Sequence, residues 1–243
     1  MDYVAATTLD EAFCALKTED ARCLAGGQSL LAMMNLGLVA PAQLVSLRKI
    51  ESLRGIQKQP DGELRIGAMT THEEIALMDG ASLLSQAARV VGYPAIRAWG
   101  TIGGSVAHAD PAADYPVALL AADASIEVKS AKAARQIAAR DFFRGLFETA
   151  LEKGEIVTAI RLPAQRGKTA YEKLSLVAGD FAILAVAVAG ERIAVGGCGP
   201  TPVLLDRGHD VSKLEFMNDQ RASAAYRRKV LPELIRRAVK RCS

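Results

Sequence analysis

Apolar positions along this chain follow two periods, which predicts a mixture of short helices and short strands. They recur at helical spacing over residues 8–16, where one face of a helix would be apolar. They alternate with polar positions over residues 63–69, as one side of a strand does. Because both patterns recur along the chain, we expect an α+β fold.

The same two periods predict the remaining elements. Strands are predicted over residues 22–25, 43–47, 125–129, 155–162, 182–189 and 192–195, the last two forming an antiparallel hairpin at Gly190-Glu191. Helices are predicted over residues 30–36, 82–91, 115–122, 142–151 and 222–241, the last interrupted near Pro232. Asp114 and Asp141 are expected to cap two of these helices, and Thr71 with Glu74 to form a capping box. Residues 165–168 look like a linker, so domain boundaries are expected near residues 165 and 55.

Composition narrows the class of protein. Half of the residues are hydrophobic and 23% are charged, which predicts a packed core rather than disorder. The longest apolar run, over residues 181–189, is much shorter than the roughly 20 residues needed to span a bilayer. Residues 1–6 lack the basic start and the apolar stretch of a secretory signal. A net charge of +3 gives no case by itself for nucleic acid or a membrane surface.

Cysteine and histidine positions argue against metal and disulfide frameworks. The four cysteines are scattered with no Cys-x-x-Cys pair, which fits reduced thiols in a cytoplasmic protein and no iron–sulfur cluster within this chain. The three histidines form no metal-binding pattern. No nucleophile or general base stands out either, so we predict neither a metal nor a catalytic residue here. That absence fits a protein whose cofactor performs the chemistry.

Two glycine-rich segments carry the strongest chemical signal. The first glycine segment (residues 25–29, AGGQS) follows a predicted strand, and the second glycine segment (residues 101–105, TIGGS) lies far from it in sequence. Paired glycines remove side-chain bulk and permit positive φ, so backbone N–H groups can converge on an anion. Locally each segment could be a tight turn. Together they could hold one diphosphate from two sides.

Several polar residues near these segments have two interpretations each. Asp114 is either a helix cap or a carboxylate that accepts hydrogen bonds from a cofactor, and the two roles are compatible. His108 and Asp110 are interpreted as polar loop residues rather than metal ligands. Lys173 is either a solvated strand residue or a cation near a flavin, where it would stabilise the anionic reduced ring. Trp99 is interpreted as a packing residue.

The C-terminal stretch is basic. Its charges are Arg227, Arg228, Lys229, Arg236, Arg237, Lys240 and Arg241. A solvated helix face is the default interpretation, and a docking surface for an acidic partner is the alternative. Nucleic acid ranks below both, because aromatic residues are not interleaved with the charges.

The motifs together resemble the FAD-binding medium subunit of molybdenum hydroxylases, a family that includes the carbon monoxide dehydrogenase flavoprotein and the flavin domain of xanthine dehydrogenase. The resemblance covers nearly the whole chain in order. Its motifs are residues 25–30 (AGGQSL), 71–72 (TH), 101–105 (TIGGS), 107–114 (AHADPAAD), 154–157 (GEIV), 171–173 (YEK), 199–203 (GPTPV) and 221–228 (RASAAYRR).

The resemblance implies a vanillyl-alcohol-oxidase/PCMH-like FAD-binding fold. Residues 1–55 and 56–164 would be two α/β subdomains, with FAD between them, and residues 168–243 a small C-terminal domain of antiparallel sheet and helix. The site residues implied along the diphosphate are Cys23, Leu24, Ala25, Gly26, Gly27, Gln28, Ser29 and Leu30. Those implied for the diphosphate and the rest of the cofactor are Thr101, Ile102, Gly103, Gly104, Ser105 and Asp114. Val157 would pack near the flavin or adenine end, Lys173 would lie near the flavin, and Val91 would line the site. A side chain at Gly103 is then expected to add bulk at the diphosphate, abolishing FAD retention while leaving partial fold.

Two departures from the family pattern matter. Ser105 stands where the family commonly has asparagine, which leaves a smaller polar contact. The stretch over residues 203–216 is shorter than the family pattern, so the C-terminal domain is expected to lack a helix. This second departure affects partner docking rather than FAD binding.

The resemblance also implies a place in an electron-transfer chain. Substrate would be hydroxylated at a molybdopterin centre in a large subunit, and electrons would pass through two iron–sulfur clusters of a small subunit to FAD in this chain, and then to an external acceptor. A cytoplasmic dimer of heterotrimers, with no nucleic acid and no transmembrane segment, is the expected assembly. Two alternatives stay open: a stand-alone FAD oxidoreductase of the same fold, and an assembly subunit without a cofactor.

Overall fold

Strands supply the framework of the computed structural model, which describes residues 1–78, 82–165, 167–205 and 210–242. Within these residues they form four sheets. The strands are β1 Asp2–Ala5, β2 Ala21–Leu24, β3 Gln43–Ser46, β4 Ile56–Lys58, β5 Leu64–Gly67, β6 Ser125–Lys129, β7 Ala134–Ala138, β8 Phe143–Gly145, β9 Glu148–Thr149, β10 Ile156–Leu162, β11 Thr169–Leu174, β12 Leu184–Ala189, β13 Arg192–Gly196 and β14 Val203–Leu204. The helices are α1 Leu9–Ala15, α2 Leu30–Asn35, α3 His72–Ala76, α4 Leu83–Arg89, α5 Pro94–Arg97, α6 Ile102–His108, α7 Asp114–Ala121, α8 Ala139–Phe142 and α9 Ala224–Cys242, with a 3-10 turn over Glu51–Leu53.

The first sheet is parallel and three-stranded, in the order β1-β3-β2. Thr8 caps α1 by accepting a hydrogen bond from the Glu11 N–H at 3.2 Å. Phe13 and Ala12 of α1 then pack with Val45 of the central strand in one buried cluster. Parallel strands leave their connecting segments at the sheet ends, and β2 leads directly into the first glycine segment.

The second sheet is antiparallel, in the order β4-β5-β10-β6-β7. Helices α3, α4, α6 and α7 belong to its main core cluster. All eight residues of α7 are buried, because α7 lies against α4 on one side and against β12 and β13 of the third sheet on another. This packing brings Asp114, the first residue of α7, to the third sheet.

The third sheet is antiparallel, in the order β11-β12-β13-β14. Helix α9 packs across β11 and β12 through its apolar face, on which Leu231, Leu234, Ile235 and Ala238 are buried. A small hairpin of β8 and β9 forms the fourth sheet. Among the described residues, no helix combines the length and the apolar character that crossing a membrane requires.

Most predicted elements are confirmed within one or two residues, but the helix over residues 142–151, its cap and the interruption of the terminal helix are wrong. The helix expected over residues 142–151 is instead the end of α8 followed by β8 and β9, and Asp141 lies inside α8 rather than at its cap. The terminal helix is not interrupted at Pro232. Pro232 is exposed, so the buried face of α9 keeps its packing despite the lost backbone hydrogen bond. Arg166, in the expected linker, and His209 lie outside the described residues.

Candidate functional site

The first glycine segment presents a row of free backbone donors. Gly27 has φ +74°, which a glycine adopts without strain. None of the N–H groups of residues 26–30 donates a hydrogen bond to another part of the described chain. Five neighbouring donors without protein acceptors form the kind of concave, partly positive surface that binds phosphate oxygens. The segment therefore fits the diphosphate role that the resemblance implies.

The second glycine segment differs, because four of its five backbone N–H groups, those of residues 102–105, already donate to acceptors within the described chain. Thr101 caps α6, and its hydroxyl accepts from the Gly104 N–H at 3.2 Å. The N–H groups of Ile102 and Gly103 donate to the carbonyl groups of Thr70 and Ala68, at 3.0 and 2.8 Å. What this segment can offer a ligand is therefore the bare surface of Gly104 and the half-buried hydroxyl of Ser105, rather than a cradle of N–H groups.

The structure brings the two glycine segments into contact. A methyl group added at Gly26 would overlap the carbonyl oxygen of Trp99 and lie 2.7 Å from the Cα of Gly100. A methyl group added at Gly104 would lie 3.4 Å from the Cβ of Ala25. The backbones of the two chain segments therefore lie against each other, and a side chain at Gly26 or Gly104 would change the distance between them.

Gly103 has a different role from the one that the resemblance suggested. A methyl group added there would lie 2.5 Å from the Cβ and 2.7 Å from the carbonyl oxygen of Ala68, at the end of β5. The absent side chain thus permits α6 to pack on the second sheet. A side chain at Gly103 would therefore meet Ala68 first, and its expected effect on FAD retention stays a prediction.

A buried charged cluster lies where α7 meets β11. The Lys173 ammonium lies 2.9 Å from Asp114 Oδ2, and the Tyr171 hydroxyl donates to Asp114 Oδ1 at 2.7 Å. The side chains of Lys173 and Asp114 are only 6% and 5% exposed. Burial raises the pKa of Asp114, while the Lys173 ammonium and the Tyr171 hydroxyl oppose that rise. Lys173 is therefore no solvated strand residue, and Asp114 and Lys173 do meet at one place.

Asp114 does not cap α7. Ala113 occupies the cap position without any side-chain hydrogen bond, and Asp114 is the first helical residue. Its carboxylate turns inward to Lys173 and Tyr171 instead, since burial without these partners would be costly.

The other expected site residues lie in more ordinary surroundings. Val157 is 4% exposed and packs in the main core next to a bulge in β10. Burial raises the pKa of the Cys23 thiol to about 11, so Cys23 is protonated at neutral pH. Val91 is half-buried against the same core. His108 lies with its ring 5.0 Å from that of Phe147, and no described His, Cys, Asp and Glu side chains are grouped as a metal ion would require.

A cavity of about 300 Å³ opens beside the contact between the glycine segments. Its lining residues are Ala25, Gly26, Arg48, Arg54, Met69, Thr71, Glu74, Ala98, Trp99 and Thr101. Trp99, interpreted from sequence as a packing residue, is 49% exposed, and the Arg48 guanidinium lies 4.0 Å above its ring. Arg48 and Arg54 outnumber Glu74 among these residues, so this side of the site carries a net positive charge. The sequence motifs did not indicate this, because neither arginine lies in a motif.

The basic C-terminal helix is only partly a solvated face. Arg227 is 1% exposed and its guanidinium pairs with Asp219. Arg241 reaches β11, where it donates to Glu172 Oε1 at 2.7 Å and to the Tyr171 carbonyl group at 3.2 Å. Helix α9 is therefore tied to the strand that carries Lys173.

Comparisons with known proteins identify the family of this fold. Residues 1–165 match the family described as the FAD binding domain in molybdopterin dehydrogenase. The glyceraldehyde dehydrogenase medium chain of Sulfolobus acidocaldarius is 35% identical over 98% of this chain and 96% of its own length. The carbon monoxide dehydrogenase medium chain of Afipia carboxidovorans is 35% identical over 92% of this chain and 89% of its own. A chain of reconstituted CO dehydrogenase from Oligotropha carboxidovorans superposes with a TM-score of 0.92 at 33% identity, covering 100% of this chain and 97% of that one.

The fold is thus that of the flavin-binding subunits of molybdenum-containing oxidoreductases. The chain belongs to the family of FAD-binding domains in molybdopterin dehydrogenases. It is accordingly an oxidoreductase subunit, and its own cofactor is FAD.

Proposed function

We propose that this chain is the electron-transfer subunit of a heteromeric molybdenum hydroxylase, in which FAD receives electrons from a partner and passes them to an external acceptor. One observation carries the proposal: the N–H groups of residues 26–30 have no acceptor in the described chain, and the segment that holds them meets the second glycine segment at Ala25 and Gly104. FAD supplies two-electron chemistry when bound. This chain's residues bind and orient it.

The proposed cofactor site combines both glycine segments with the buried cluster. Residues 23–30 would lie along the diphosphate, with the N–H groups of residues 26–30 as donors. Thr101 through Ser105 would form the opposing wall, with Gly104 rather than Gly103 at its surface. Asp114, Lys173 and Val157 complete the proposed set. Lys173 is the cation best placed to stabilise negative charge on a flavin, because its ammonium is nearly fully buried.

We further propose the division into residues 1–55, 56–164 and 168–243, each built around its own principal sheet. The first sheet ends at Ser46, the second spans strands from Ile56 to Leu162, and the third starts at Thr169. FAD would lie between the first two units, where the glycine segments meet.

The proposed partners are a small iron–sulfur subunit and a large molybdopterin subunit, in a cytoplasmic dimer of heterotrimers. Support comes from the relatives, which are named as medium chains or medium subunits of dehydrogenases and a hydroxylase. These partners would contact the basic side of α9 or exposed apolar residues such as Leu36, Leu38, Leu146 and Phe147.

The test is to purify the chain in its complex, denature it and measure released FAD by fluorescence. One FAD per chain is expected. Absence of flavin would instead support an assembly subunit and contradict the proposal.

The electron route is tested by removing FAD from the complex. With glyceraldehyde, nicotine and quinoline as a substrate panel, taken from the names of the relatives, substrate should still bleach the iron–sulfur absorbance. Reduction of an external dye should be lost and should return when FAD is added. Oxidation of a small molecule by the isolated chain alone would favour a stand-alone oxidoreductase.

A further inference from the structure

The Tyr171 hydroxyl has a defined role in the buried cluster. It donates to Asp114 Oδ1 at 2.7 Å, while Lys173 occupies Oδ2 at 2.9 Å. Each carboxylate oxygen is therefore held by a different group of the same strand, β11. A carboxylate held at both oxygens has one orientation, and so does the ammonium bound to it.

Lys173 retains one free donor. An ammonium group has three N–H donors and no acceptor. Two of them reach Asp114 Oδ2 and the carbonyl oxygen of Val90, at 2.9 and 3.0 Å. Within the described residues no acceptor takes the third. The direction of this third donor is fixed only as long as Asp114 is fixed.

We propose that Tyr171 is a positioning residue that holds the Asp114 carboxylate so that the free donor of Lys173 points at the flavin. The inference rests on the proposed function, because it needs FAD in this site. Tyr171 acts through Asp114 and Lys173 and does not itself touch the cofactor.

The strand that carries these side chains is fixed along its other edge. The Tyr171 N–H donates to Gln86 Oε1 of α4 at 3.1 Å, and its carbonyl group accepts from Arg241 of α9 at 3.2 Å. Strand β12 pairs with the opposite edge of β11. The backbone at Tyr171 therefore stays in place if only the hydroxyl is removed, and a substitution there isolates one hydrogen bond.

The neighbouring Tyr115 provides a matched control. It is fully buried like Tyr171, but its hydroxyl bonds to His72 Nδ1 at 2.9 Å rather than to Asp114. The ionisable groups that act on Asp114 are Lys173 and Tyr171 on β11, with Tyr115 adjacent on α7. Tyr115→Phe thus removes a buried hydroxyl of the same kind without loosening the carboxylate.

The experiment compares FAD retention by the wild-type complex and the Tyr171→Phe and Tyr115→Phe complexes between pH 4 and pH 8. Loss of the Tyr171 hydrogen bond removes a contact that lowers the pKa of Asp114, so Asp114 takes up its proton at higher pH. Acid release of FAD should move upward by about one pH unit in Tyr171→Phe. Tyr115→Phe leaves His72 Nδ1 without its hydroxyl partner, so its acid release is compared with that of His72→Gln, and no shift beyond the one shared with His72→Gln is expected. The flavin absorption band should change shape in Tyr171→Phe alone, since the donor at the ring is no longer fixed.

Three results would overturn the inference: no shift in Tyr171→Phe, the same change of the flavin band in both variants, or a shift that persists when Asp114→Asn is already present. Asp114→Asn also serves if Tyr171→Phe fails to assemble, because it should remove the part of the acid release that His72→Gln leaves in place. A wild-type complex without flavin would overturn the proposed function first, which separates the two failures.

Discussion

The two glycine segments have similar sequences but different physical roles. The first leaves the N–H groups of residues 26–30 without an acceptor in the described chain, whereas the second uses those of residues 102–105 to begin α6 and to join it to the end of β5. The proposed function therefore gives the first segment a binding role, while the second segment packs. A glycine pair in a sequence indicates that backbone must come close to something, and only the structure shows whether that partner is a ligand or another part of the chain.

The contact between the segments is the feature whose loss should cost most. In Gly26→Ala the added methyl group would overlap the Trp99 carbonyl oxygen, and a backbone obstacle cannot rotate away as a side chain can. We expect a loss of unfolding free energy above the roughly 1–3 kcal/mol typical of overpacking, together with loss of most FAD. Urea unfolding and flavin content of the purified complex check both.

A suitable control for Gly26→Ala is Gly199→Ala. Neither glycine has a positive φ, and nothing lies within 4 Å of a methyl group added at Gly199. This control adds a methyl group to the same kind of backbone without the steric overlap. Normal FAD content in Gly26→Ala would contradict the view that the two segments must touch.

The region that holds the second glycine segment should lose stability in acid, because it contains the buried side chain of His72. The first glycine segment contains no titratable side chain. His72 is 5% exposed, and its backbone N–H donates to the Gly100 carbonyl group. Burial lowers the pKa of its imidazole to about 4, and the positive charge of Arg97 adds to this effect. The folded pKa lies below the unfolded value of 6.5, so the unfolded chain binds more protons between these values. Stability is therefore complete above pH 6.5 and falls by about 3 kcal/mol as the pH drops toward 4.

The measurement is urea unfolding of wild type and His72→Gln at pH 7.5 and 4.5. Carboxylates contribute to acid unfolding in both proteins, so the difference between the two pH slopes isolates His72. Equal slopes would show that His72 does not carry the effect.

Sequence reasoning succeeded where a local pattern decides the structure. The capping box of Thr71 and Glu74 forms as expected, since both hydrogen bonds lie within four residues. The hairpin of β12 and β13 follows from two short apolar runs joined by a glycine turn. The helix predicted over residues 142–151 is wrong, because the apolar residues there lie in the end of α8 and in a hairpin. A short apolar run does not distinguish a helix from a hairpin strand.

The sequence motifs named most residues of the candidate site, but they did not predict which contacts each residue makes. The motifs named both Asp114 and Lys173, but the pairing of their charges depends on α7 packing against the third sheet. Tyr171 was visible only as part of a motif, because its contact with Asp114 joins residues 57 positions apart. No sequence motif marks Arg48 and Arg54 as site residues. They line the cavity because the folded chain brings them near Gly26 and Trp99, which are distant from them in sequence.

Gly104 gives the finest test of the contrast between binding and packing, because Gly103 beside it is a matched control. A methyl group at Gly104 would lie 3.0 Å from the Thr101 hydroxyl oxygen and 3.4 Å from Ala25, so small shifts accommodate it. Gly104→Ala should weaken FAD binding about tenfold, about 1.4 kcal/mol, with little change in stability. Gly103→Ala, which meets Ala68 at 2.5 Å, should lower the unfolding free energy by roughly 1–3 kcal/mol while folded molecules keep their FAD affinity. Titration of flavin-free protein with FAD, alongside urea unfolding, measures both quantities, and the reverse pattern would assign Gly103 to the ligand and Gly104 to the core.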